Sequence, residues 1–146
     1  MEEHLEREFI HLCESGKLNK ARKFLKINVI TDSQNAFWWA CFEGNLKLAK
    51  CLLKLNPTKW LWWKKRIIDI SADNESAFRW VCKEGHLELA KWLYYVKPTI
   101  DISAANEFAF RYACVNDQLE VAKWLQTLNP EKYYLEIIND KIINFK

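Results

Sequence analysis

The sequence predicts an all-α protein: a helical solenoid of about three full repeats, with a worn repeat before them and a capping helix after them. Three observations lead there. A 23-residue block recurs without internal gaps as Asn35–Pro57, Ser76–Pro98 and Phe108–Pro130, with Ala36, Ala77 and Ala109 marking offsets of 41 and then 32 residues. All three glycines, Gly16, Gly44 and Gly85, fall at one internal position of the repeat, and all three prolines, Pro57, Pro98 and Pro130, close a copy. Six such breakers among 146 residues, against 8 Trp, 8 Phe and 5 Tyr, argue against an all-β chain with many tight turns. They also exclude glycine-rich phosphate loops, which need glycines close together.

The elements follow in order. Residues 1–30 read as a worn cap repeat, with Leu12-Cys13-Glu14-Ser15-Gly16-Lys17-Leu18 and then Ala21 and Leu25 echoing the later copies, and Glu2, Glu3, Glu6, Arg7 and Glu8 giving it a polar outer face. Full repeats are expected at about 31–58, 69–99 and 101–130, all within one domain of residues 1–146. Each is two short helices around the glycine. In the second copy Ala77, Phe78, Val81 and Cys82 share one face, and Leu87, Ala90 and Leu93 mark the buried side of the following helix. Glycine suits the junction because a helix end commonly needs a left-handed residue. Asp117, preceded by Asn116, stands there in the third copy, at a small cost in stability. Proline then stops the second helix. Asp69-Ile70-Ser71 and Asp101-Ile102-Ser103 lie between copies and lean towards β. Asn129-Pro130-Glu131 looks like a helix start, and Tyr134, Ile137, Ile138 and Ile142 recur at i, i+3, i+4 and i+8, which predicts an amphipathic helix over 131–144.

Gly85-His86-Leu87-Glu88-Leu89-Ala90-Lys91-Trp92-Leu93 resembles the GHLEIVKLL core of the ankyrin repeat, whose period is about 33 residues. The resemblance runs over about residues 5–130 and is specific in the two-helix half. In the hairpin half it is poor: Asn35-Ala36-Phe37-Trp38, Ser76-Ala77-Phe78-Arg79 and Phe108-Ala109-Phe110-Arg111 replace the TPLH start, and Ser33, Asn74 and Asn106 replace the hairpin glycine. Asparagine can still take left-handed angles. The repeat wording is also similar to ankyrin expansions of giant DNA viruses. The resemblance implies a right-handed stack in which each unit buries its core against its neighbours, with poorly formed hairpins.

Cys13, Cys41, Cys82 and Cys114 share the repeat position where the ankyrin pattern has a small buried alanine, and cysteine there acts as a small hydrophobe. Equivalent positions on adjacent helices are too far apart for a disulfide, no CxxC pair exists, and five is an odd count, so free thiols in a reducing, intracellular compartment are expected. If the viral resemblance extends to origin, that compartment is host cytoplasm or a virion. The three histidines, His4, His11 and His86, make no metal or catalytic set with the cysteines, and His86 follows the turn glycine as a structural histidine does in the ankyrin pattern. No cofactor, metal or enzymatic activity is expected. Phe37, Phe78 and Phe110 are read as core, as are Trp39, Trp80 and Tyr112 at a second shared position, with Trp92 and Trp124 on the second helices.

The positions ankyrin proteins leave variable map to Thr31, Asp32, Gln34, Phe42 and Glu43; to Ala72, Asp73, Glu75, Lys83 and Glu84; and to Ala104, Ala105, Glu107, Val115 and Asn116, with Trp38, Arg79 and Arg111 beside them. The resemblance therefore implies a non-enzymatic module that binds a protein partner through this concave, hairpin-side face, with Trp and Arg as typical anchors. A second expectation concerns the nine-residue insertion at 59–67, whose Trp60, Trp62, Trp63, Lys64, Lys65 and Arg66 include no acid. It reads either as a short helix packed on its neighbour, as a protein contact, as an RNA or ribonucleoprotein contact stacking bases on tryptophan, or as a membrane-surface contact. No apolar run approaches the roughly 18–20 residues of a membrane span, the start MEEHLEREF lacks the apolar core of a secretory signal, and the net charge of +3 is too mild to imply nucleic acid by itself.

Overall fold

Phe37 and Cys41, Phe78 and Cys82, and Phe110 and Cys114 are each four residues apart, which places each pair on one helical face. In the computed structural model, which describes residues 7–9, 11, 12, 15, 17, 19, 20, 23, 33–55 and 68–146, all six are buried. The described residues are mostly helical: α1 (Ser33–Phe42), α2 (Leu46–Leu55), α3 (Ala72–Lys83), α4 (Leu87–Val96), α5 (Ala104–Val115) and α6 (Leu119–Leu128). The chain divides into two compact units, Met1–Asp69 and Ile70–Lys146. In the first, α1 packs on α2. In the second, α3 packs on α4 and α5, α5 on α6, and α4 on α6, so two helix pairs lie side by side, first helix to first and second to second.

The junctions between paired helices are left-handed, as the repeat position requires. Gly44 has φ 70°, Gly85 φ 83° and Asp117 φ 54°. Each ends its helix with the same bond set: His86 N–H donates to Val81 O (3.0 Å) and Gly85 N–H to Cys82 O (3.3 Å), repeated at Asn45 to Ala40 and at Gln118 to Ala113. The angle selects glycine at 85; a Cβ there would also meet Gln118 Oε1, the end of a flexible side chain that can swing aside. Asp117 has the unfavourable angle without the glycine. Asp117→Gly is expected to stabilise the protein by about 0.5–1 kcal/mol, the relief of left-handed strain less the extra chain entropy of glycine, measured by chemical denaturation.

The segments between repeats form turns, with no strand among the described residues at 68–71 or 100–103. Asp73, Asn74 and Glu75 (φ 53°, 59° and 62°) and Ala105, Asn106 and Glu107 (φ 54°, 59° and 60°) each make a left-handed turn inside the bounds of α3 and α5, and the right-handed helix runs on from Ser76 and from Phe108. Three consecutive non-glycine residues in this region cost on the order of 1–2 kcal/mol each, so something must hold them. Arg79 does so in the second copy: its Nε donates to Asn74 O (2.8 Å) and its Nη2 to Asp73 O (2.9 Å). Arg111 Nη1 reaches Asn106 O more loosely, at 3.4 Å. Asparagine at 74 and 106 takes the left-handed angle its side chain tolerates.

The end of the chain departs from expectation. Residues 131–144 are not a helix: β1 (Leu135–Ile138) and β2 (Lys141–Phe145) form an antiparallel hairpin, with Asn139 and Asp140 at φ 50° and 58° in a two-residue turn. Asn-Asp with both residues left-handed matches the twist of paired strands, and the isoleucines flanking it are β-branched. The i, i+3, i+4 pattern of Tyr134, Ile137 and Ile138 coexists with a period-two pattern, and burial follows the latter, with Leu135 and Ile137 turned inward from exposed Glu136 and Ile138. Pairing closes beyond the strands through Tyr134 N–H to Lys146 O (2.8 Å) and its reciprocal (3.1 Å). The hairpin packs on α5 through β2 and on α6 through β1. Tyr133, 2% exposed, stacks on Phe110 (4.2 Å, 9°), and Phe145 meets Phe110 edge-on (6.4 Å).

Cys41, Cys82 and Cys114 are free and buried. Burial alone raises their thiol pKa values, to about 12 for Cys41 and Cys114 and further for Cys82. Cys51, by contrast, is disulfide-bonded, which removes the argument for a reducing compartment that rested on every thiol being free; Cys13 lies outside the described residues. Iodoacetamide at neutral pH is expected to leave Cys41, Cys82 and Cys114 unmodified until the protein is unfolded, and to label Cys51 only after reduction, as peptide mass mapping will show. No helix among the described residues is long and apolar enough to cross a membrane.

Candidate interaction surface

A helix with one buried stripe has a second stripe opposite. Trp38, Trp39 and Phe42 form that stripe on α1, Arg79, Trp80 and Lys83 on α3, and Arg111, Tyr112 and Val115 on α5, at the same repeat positions, with Phe108 joining them on α5. Trp39 is 56% exposed, Tyr112 38% and Val115 63%, and Trp80 is half-buried. Trp39 and Tyr112 are therefore not core, as the repetition of large residues had suggested, and Trp80 is only half-buried. They lie two residues after Phe37, Phe78 and Phe110, about 200° around the helix. The i, i+3, i+4, i+7 spacing of Phe108, Arg111, Tyr112 and Val115 is the signal that identifies them.

In the first unit the stripe is an aromatic cluster. Trp38 stacks on Phe42 (5.5 Å, 10°), and Trp39 meets both edge-on, at 5.3 and 5.6 Å. Glu43 is exposed beside it. In the second unit cations are interleaved with rings. Lys83 Nζ lies 4.1 Å from the Trp80 ring centroid, and Arg79 Cζ lies 5.0 Å from that of Phe108. Phe108 stacks on Tyr112 (4.1 Å, 22°) and tilts against Trp80 (6.0 Å). Lys83 also pairs with Glu84 at 3.6 Å, and Asn116 Nδ2 donates to Lys83 O at 3.4 Å, tying α5 to the end of α3.

Two of the acidic residues expected on this surface, Glu75 and Glu107, are used otherwise. Glu75 is only 8% exposed: its Oε1 accepts from Ser71 Oγ (2.6 Å) and, at 3.5 Å, from Asp101 N–H, while Lys97 Nζ donates to Ser71 Oγ. Its Oε2 is buried with no hydrogen-bond partner among the described residues. Glu107 pairs with Lys132 and accepts from the Tyr133 hydroxyl. Burial first, and then that bond to Glu107, raises the Tyr133 pKa and keeps the phenol protonated. Gln34, at the same repeat position, donates from Nε2 to Asp69 O (3.0 Å) and accepts from Asp69 N–H (2.8 Å). All three side chains thus reach the segment that follows their own repeat, at Asp69, Asp101 and Tyr133, and clasp it to the start of that repeat's first helix.

Of the remaining expected contacts, Asp73 is exposed with its carbonyl held by Arg79, Arg111 and Asn116 are exposed, Ala105 is exposed, Ala104 is buried and Ala72 half-buried. Thr31, Asp32 and the insertion residues Trp60, Trp62, Trp63, Lys64, Lys65 and Arg66 lie outside the described residues. Among the described residues no group of three or more His, Cys, Asp or Glu could hold a metal ion. No protein-family model, curated protein or solved structure matches this chain.

Proposed function

We propose that this chain is a non-enzymatic protein-interaction module with an ankyrin-like repeat, and that it binds its partner through the outward stripe of α3 and α5. The observation carrying this reading lies in the second unit, where exposed Tyr112 and Val115 share the outward stripe with Arg79, Arg111 and Lys83, and the same repeat position in the first unit carries exposed Trp39. Aromatic residues and arginine are the types enriched at the cores of protein interfaces. The rings are stacked on one another and on cations, so little side-chain freedom is lost on binding.

The anchors differ in what their removal reports. Arg79 holds a left-handed turn, so Arg79→Ala changes stability as well as any interface. Tyr112 and Val115 are the cleaner probes. Capture of partners from lysate, with and without nuclease, is expected to yield a nuclease-resistant protein that Tyr112→Ala and Val115→Asp weaken by about 2 kcal/mol or more, while each shifts stability by about 0.5 kcal/mol or less. Unchanged capture by both variants would move the interface off this stripe. A second reading rests on three tryptophans and four cations at 59–67 without an acid. Nuclease-sensitive capture lost when Lys64, Lys65 and Arg66 are replaced by serine would favour an RNA or ribonucleoprotein partner there.

A further inference from the structure

We propose that the partner of the α3–α5 face is an acidic peptide segment, whose carboxylates meet Arg79, Arg111 and Lys83 and whose apolar side chains meet Tyr112 and Val115. This rests on the interaction reading above and adds the chemistry of the partner.

The first argument is charge. The sequence places Glu75 and Glu107 on the same helices as these cations, yet neither carboxylate neutralises them. Glu75 is buried against Ser71 and Asp101, and Glu107 is taken by Lys132 and Tyr133. The acids left beside the stripe are Asp73, exposed in the turn that Arg79 holds, and Glu84, whose pairing with Lys83 at 3.6 Å is partly exposed and readily exchanged for another carboxylate. Arg79, Lys83 and Arg111 therefore outnumber the acids on this face by one, and the excess lies at Arg111, towards Tyr112 and Val115.

The second argument is donor geometry. Arg79 uses Nε and one Nη2 hydrogen on the turn carbonyls, leaving three of the five guanidinium N–H groups without a partner among the described residues. The turn and the Phe108 ring fix the plane of that guanidinium, so it is positioned before a carboxylate arrives. Arg111 is exposed and makes one long bond, at 3.4 Å.

The third argument weighs against nucleobases. Base stacking needs an open ring face. Phe108 has Tyr112 stacked on it and Arg79 over it, and Trp80 carries Lys83. A base would have to displace these contacts, whereas a carboxylate leaves the rings as they are. Tyr112 and exposed Val115 adjoin the cations and provide the apolar part of the contact.

The test is selection of a displayed random-peptide library on the full chain, followed by binding of the enriched peptides, and of oligo(U), to wild type, Val115→Asp, Val115→Lys and Arg111→Gln. Val115 is 63% exposed, so a charge there leaves the core intact, and thermal denaturation confirms folding of each variant. Enriched peptides are expected to be net acidic with interspersed apolar residues. Val115→Asp should weaken them about tenfold and Val115→Lys strengthen them several-fold, with Arg111→Gln weakening them and added salt doing the same. Neutral or basic peptides weakened alike by both Val115 variants would overturn the acidic partner and leave the interface standing. Peptides indifferent to all three variants would overturn both. Oligo(U) binding weakened by Arg111→Gln, with no peptide enriched, would overturn both in favour of nucleic acid.

Discussion

Phe110→Ala should lose about 3–5 kcal/mol of stability, the range for truncating a buried aromatic side chain. Phe110 is fully buried at the inner stripe of α5, so the substitution leaves a cavity between helices that pack on either side of it. It also removes the ring on which Tyr133 stacks at 4.2 Å and against which Phe145 stands edge-on. A two-stranded hairpin is marginal by itself, so amide exchange in β1 and β2 should accelerate more than in α4. Phe78→Ala removes a ring at the same repeat position, and that ring contacts Trp124. It should cost a similar amount while leaving hairpin protection closer to wild type. Equal loss of hairpin protection in both variants would show that the hairpin unfolds only with the whole unit.

Glu107→Ala should cost about 2–3 kcal/mol, more than an ordinary exposed ion pair. Its carboxylate joins α5 to the hairpin twice, through Lys132 and through the Tyr133 hydroxyl. Removing it leaves that hydroxyl buried without its acceptor, because Tyr133 is almost wholly enclosed. Tyr133→Phe removes the donor instead, and the double variant Glu107→Ala with Tyr133→Phe should cost less than the two single losses added together. Additive losses would mean that the two groups are not coupled. Lys132 is half exposed, so Lys132→Ala alone should cost under about 1 kcal/mol.

Much of the helical architecture was legible because repetition states each rule more than once. Gly44 and Gly85 announce a left-handed helix end, and Asp117 takes the same angle at the position they define. The asparagines at 74 and 106 foretold left-handed turns, although not that their neighbours on both sides would join them. The surface was harder to read. A large residue recurring in every copy fits a core position and an exposed stripe equally well, and only the angle from Phe37, Phe78 and Phe110 separates them. Trp39 and Tyr112 could have been placed outside by that angle. Glu75, Glu107 and Gln34 could not have been recognised as clasps, because their acceptors and donors lie 26 to 35 residues away.

Local periodicity and punctuation were enough to specify where the paired helices begin, end and turn, since those depend on residues within a few positions of one another. They were not enough at residues 131–144, where helical and strand periods coexist in one short run. There the deciding interactions are non-local: Tyr133 and Phe145 on Phe110, Tyr133 with Glu107, and strand pairing closed by Tyr134 and Lys146. A hairpin offers an apolar face to α5 and α6 while satisfying its own backbone, and the neighbouring helices, rather than any propensity within the segment, select that arrangement. The same holds for the charge on the α3–α5 face. Composition alone counts Glu75 and Glu107 against its cations, and only tertiary packing turns those two carboxylates inward.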